Sequence, residues 1–123
     1  MNGNENKPLT TTVGGASFEA EVLQSETPVL AAFLTRWSRA CEVLSPILDE
    51  VATAGAGQVK VVTVDADDQL DLSVSFEIRS IPTMIHFVNG RECFRIVGTA
   101  SKAAILAKLN LSAEPPAGCP PTQ

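Results

Sequence analysis

Hydrophobic residues fall into runs of three distinct periods along this chain, and the periods predict alternating strands and helices. Val29–Leu34 contains no polar residue, as a strand covered on both faces requires. Val43, Leu44, Ile47, Leu48 and Val51 then recur at steps of one, three and four, which predicts a helix to about Ala54 that stops at Gly55. Pro46 inside it removes one backbone hydrogen bond and is expected to kink it. Val59–Val64 reads as the next strand, so strand, helix and strand form a right-handed parallel unit. Leu70, Leu72, Val74, Phe76 and Ile78 alternate like a strand, although Leu72 and Phe76 also fit one helix face. Thr83–Val88 and Glu92–Val97 are β-rich and joined by Asn89-Gly90, a hairpin signal.

Towards the ends the pattern thins. Leu9–Val13 predicts a short edge strand, and Ser17 the N-cap of a helix carrying Phe18, Val22 and Leu23 to about Gln24. Ser101 is placed to cap a last helix whose apolar face comes from Ala104, Ile105, Leu106, Ala107 and Leu109. Residues 1–8 are polar and expected to be disordered, and the four prolines within 112–123 read as a flexible tail. One domain over 9–111 follows.

Composition narrows the class. Hydrophobic residues at 45% and charged residues at 19% suit a globular protein, and a net charge of −5 disfavours nucleic acid and anionic membrane as partners. No signal sequence or membrane-length apolar run is seen, so a cytoplasmic location is expected. Cys41, Cys93 and Cys119 are too irregularly spaced for a disulfide framework or a zinc site. No metal or cofactor is implied.

The chemistry concentrates at Trp37-Ser38-Arg39-Ala40-Cys41, between the first buried strand and the helix. A helix N-terminus presents unpaired N–H groups and a partial positive charge, which lowers the pKa of a thiol placed there. Here the first position holds Ser38, and only the fourth, Cys41, carries sulfur. A serine hydroxyl cannot exchange with a disulfide, because that reaction needs a thiolate. A serine nucleophile would need an adjacent base, and the one histidine, His86, is distant in sequence. An N-cap role for Ser38 is expected. Cys41 is read as a packed small residue ahead of a slow single thiol open to glutathionylation.

Together, Pro28–Leu34, Trp37–Cys41, Pro46–Glu50, Val64–Asp67, Ser80–Thr83 and Phe87–Gly90 resemble the thioredoxin family in order and spacing, over roughly Thr10 to Leu109. The resemblance implies an α/β fold, a three-layer α/β/α sandwich with a central mixed five-stranded sheet. It also implies a helix, not a strand, within 65–78. The family's W-C-x-x-C stands here as W-S-x-x-C, so Ser38 occupies the position of the attacking cysteine and Cys41 that of the resolving one. A buried aspartate of the family, the proton acceptor for the resolving thiol, corresponds to Ala32. Trp37, Ile81, Pro82 and Gly98 match the apolar patch around the motif, with Pro82 resembling the family's cis-proline.

The expected function is accordingly that of a thioredoxin-family protein of the thiol–disulfide redox class whose two-cysteine centre is degenerate. It would bind an extended peptide or protein segment at the Trp37/Pro82 face, or act through a single thiol with glutathione as a small partner. The alternatives are a working protein-disulfide oxidoreductase in cell redox homeostasis using Cys41, and a non-catalytic scaffold. Elsewhere, His86 is expected as a hydrogen-bonded core histidine, Cys93 as core, Cys119 as exposed, and Asp65, Asp67 and Asp68 as turn residues.

Overall fold

The computed structural model describes residues 10–109 apart from Gly57. The expectations for residues 1–8, Cys119 and the 112–123 tail therefore fall outside the described residues, as do both limits of the 9–111 domain. Along the chain come β1 (Thr11–Thr12), α1 (Gly15–Phe18) continuing as a π-wound stretch (Glu19–Leu23), β2 (Val29–Leu34) and α2 (Arg39–Ala54). There follow β3 (Lys60–Asp65), α3 (Leu70–Ser75), β4 (Thr83–Val88), β5 (Arg91–Val97) and α4 (Lys102–Leu109).

The strands form one mixed sheet in the order β1-β3-β2-β4-β5. β2 and β3 run parallel, β2 and β4 antiparallel, and β4 and β5 form the hairpin. Val29 to Phe33 are completely buried because helices cover both faces of β2. On one face Leu30 and Ala32 meet Leu44, Leu48 and Val51 of α2 and Ile105 and Leu109 of α4. On the other, Ala31 and Phe33 meet Phe18 and Val22 of the first helix, with Leu72 and Phe76 packed alongside. The expected three-layer sandwich is what the chain forms.

Local chemistry explains most element ends. Asn89 and Gly90 take φ of 53° and 82°, the left-handed conformations of a two-residue hairpin turn. A Cβ on Gly90 would lie 2.6 Å from the Leu23 carbonyl oxygen, so glycine is needed there twice over. Ser101 caps α4, its Oγ accepting the Ala104 N–H at 3.1 Å.

Two readings of the chain are corrected and a third is borne out. The first helix begins two residues before Ser17, whose Oγ instead reaches back to accept the Gly14 N–H at 2.9 Å. The helix that the resemblance implies after Asp65 is present over Leu70–Ser75, where Leu72 and Phe76 find the aromatic core beneath the sheet while Leu70 and Val74 stay exposed. In α4, Ala104 and Ala107 face solvent, leaving Ile105, Leu109 and half-buried Leu106 to pack.

Candidate functional site

Strand register brings the candidate residues to one end of the sheet. Phe33 pairs with Val64 on one side and with Thr83 on the other, and Thr83 pairs with Val97. The loops beyond these residues, 35–38, 66–69, 80–82 and 98–101, therefore emerge at a common rim. Gly98 donates its N–H to the Pro82 carbonyl at 2.8 Å, and the Ile81–Pro82 peptide bond is cis. Gly98 adopts φ 93°, with nothing within 4 Å of where a Cβ would stand.

Ser38 is the N-cap of α2. Its extended backbone (φ −90°, ψ 127°) turns the chain into the helix, and its Oγ accepts the Cys41 N–H at 3.4 Å. The same N–H also reaches the Ser38 carbonyl at 3.1 Å. Ser38 is thus a helix-capping hydroxyl.

Cys41 is a free thiol, 3% exposed, in the first turn of α2. Its sulfur accepts the Thr35 N–H at 3.4 Å. Ala32 lies on the α2-facing side of the sheet with no exposed surface. The lysine of β3, Lys60, points elsewhere, its Nζ 3.0 Å from Glu21.

Trp37 is 73% exposed, an unusual position for the largest apolar side chain. Its indole N–H donates to Asp67 Oδ2 at 2.6 Å, which ties the ring to the β3–α3 turn while leaving its face open. That turn is held by Asp65, whose Oδ1 accepts the N–H groups of Asp67 and Asp68 at 3.0 and 3.2 Å. The turn role expected for these aspartates is therefore seen at Asp65. Among the described residues no cluster of side chains suits a metal ion.

Sequence reasoning missed a cleft of about 430 Å³ between the start of α2 and the β1–β3 edge. Leu34, Thr35 and Cys41 contribute to its lining on the β2–α2 side, and Thr12 and Thr63 on the β1–β3 side. Arg36, Glu42, Asp65 and Asp68 add charge. These residues come from five separate segments, so no local spacing announces them. The threonine-rich start was read only as an edge strand.

His86 is buried as expected, stacked against Phe94 with ring centres 4.8 Å apart, but its Nδ1 has no hydrogen-bond partner among the described residues. Burial lowers its pKa to about 4, so it stays neutral at physiological pH. Cys93 is half-buried on β5 and disulfide-bonded, which corrects its reading as a core thiol.

Residues 9–111 match the thioredoxin family model. The chain belongs to the thioredoxin family. It is 39% identical over 104 residues to a thioredoxin of Mycobacterium tuberculosis, covering 85% of this chain and 90% of that protein. A thioredoxin of Rickettsia felis is 36% identical over 104 residues, 85% of this chain and 99% of its own length. A bifunctional thioredoxin reductase/thioredoxin of Mycobacterium leprae is 39% identical over 110 residues, a match that covers 89% of this chain and 24% of that protein. Membership in the thioredoxin family places this chain in the thiol–disulfide redox class. No described helix is long and apolar enough to cross a membrane.

Proposed function

We propose that this thioredoxin-family chain binds an extended peptide or protein segment at the rim bearing Trp37, Ile81, Pro82 and Gly98, and does not work as an efficient dithiol reductase. The observation that carries the reading is the hydrogen bonding of Ser38: its Oγ caps α2 at the position where a dithiol centre needs its attacking sulfur. Disulfide reduction by a dithiol proceeds through a mixed disulfide that a second thiol resolves. Cys41 has no such partner in the motif, and Ala32 supplies no carboxylate to take its proton. The rim, by contrast, carries an exposed aromatic anchor in Trp37, and Gly98 on the same end of the sheet faces open space.

Reduction of insulin disulfides in the presence of thioredoxin reductase tests this reading. Turnover near background is expected, with no intramolecular disulfide formed by Cys41 under mild oxidant. Turnover comparable to an ordinary thioredoxin would overturn it.

A further inference from the structure

Cys41 is buried beneath the motif, yet it contributes to the lining of the cleft between the start of α2 and the β1–β3 edge. Beside it, Thr35 is 5% exposed and also lines the cleft, and its Oγ1 has no hydrogen-bond partner among the described residues. A buried hydroxyl left unbonded is costly, so its presence on the residue whose N–H bonds the Cys41 sulfur points to a polar group that seats there. The cleft's size suits a small organic molecule better than a protein segment.

Charge selects among such molecules. Among the described residues Arg36 is the one cation of the lining, and it lies 3.6 Å from Asp65, whose other oxygen is bonded to backbone. Glu42 and Asp68 form no ion pair among the described residues, so the cleft carries three carboxylates against one guanidinium. A cleft lined by an excess of one sign concentrates ligands of the other. Anionic thiol compounds such as glutathione are disfavoured.

We propose that Cys41 is a thiolation site for small cationic aminothiol disulfides that enter through this cleft, not across the Trp37/Pro82 rim. The Cys41 thiolate attacks one sulfur of the disulfide. A Cys41–S–S–R bond forms, the original S–S bond breaks, and R–S⁻ leaves to take a proton from water. The ammonium group of R faces Glu42 and Asp68, while Thr35 can bond a polar atom seated beside the new disulfide. No neighbouring motif sulfur can expel the adduct, because position 38 is serine. The proposal rests on the single-thiol reading above, but insulin turnover tests that reading whether or not Cys41 becomes thiolated.

The experiment treats native full-length protein with cystamine, 2-hydroxyethyl disulfide or oxidised glutathione at equal concentration. Peptide mapping follows the adduct at Cys41 separately from the other cysteines. Cystamine should label Cys41 at least about tenfold faster than oxidised glutathione, with the uncharged reagent between them. The Glu42→Gln/Asp68→Asn double variant should bring the cystamine rate down to that of the uncharged reagent. Ser45→Phe, at an exposed cleft-lining position on α2, should slow all three reagents without lowering the unfolding midpoint. Equal rates for the three reagents would overturn the proposal, as would labelling only under denaturing conditions. So would labelling that Ser45→Phe leaves unchanged.

Discussion

At the scale of the residue, position 38 decides what chemistry the helix start can support. Ser38 and Cys41 sit at N-cap and third helical position, joined through the Cys41 N–H. Ser38→Cys therefore places a thiol at a helix N-terminus, where its pKa should be depressed. Ala32 still supplies no proton acceptor, and positioned acid–base groups contribute about 10²–10⁴-fold to rates. Insulin reduction by Ser38→Cys should rise above the wild type yet stay at least about 100-fold below an ordinary thioredoxin. Adding Ala32→Asp should raise it further while lowering stability, because Ala32 has no exposed surface and a carboxylate there is buried. Full family-level turnover from Ser38→Cys alone would show that the missing carboxylate matters little.

Among the elements, the turn of the β4–β5 hairpin comes close against the end of the first helix. Gly90 holds φ 82° and lies directly against the Leu23 carbonyl, at the end of the π-wound stretch. Gly90→Ala must both strain the turn and displace that helix end. It should cost about 1–3 kcal/mol, read as a lower urea midpoint with an unchanged slope. Gly98 also has a positive φ, 93°, but faces open space. Gly98→Ala should therefore cost less, by backbone strain alone. The same substitution at two glycines thus separates a steric demand from a conformational one.

For the whole molecule, the consequence of packing both faces of the sheet is a pH-dependent stability centred on His86. The ring is 5% exposed, lies against Phe94, and leaves Nδ1 without a partner among the described residues. Lys108, 5.9 Å from the Phe94 ring centre, adds positive charge on that side and none that would favour an imidazolium. Burial lowers the folded pKa to about 4 from 6.5, so the unfolded chain binds the proton first. The stabilisation is complete above about pH 6.5, declines as pH falls towards about 4, and is lost below that. The loss attributable to this group approaches about 3 kcal/mol. Urea unfolding across that window should show the decline, and His86→Leu should flatten it. An unchanged slope in His86→Leu would assign the effect to other groups.

What the sequence determined by itself is the set of features governed by local periodicity and turn chemistry. The unbroken apolar run at Val29–Leu34, the helical spacing from Val43 to Val51 and the Asn89-Gly90 turn each encode their structure within a few residues. Ser38 and Ser101 act as caps for the same reason, since a cap needs only the next turn of its own helix. The segment after Asp65 is different. Its alternation fits a strand, and it becomes a helix because Phe76 joins Phe18, Phe33 and Phe87 in a cluster assembled from four separate segments. The tie from Trp37 to Asp67, the unbonded hydroxyl of Thr35 and the cleft beside Cys41 likewise required tertiary structure. Each depends on strand register, which brings residues 12, 35, 41 and 63 together by long-range pairing that no local pattern in the chain records.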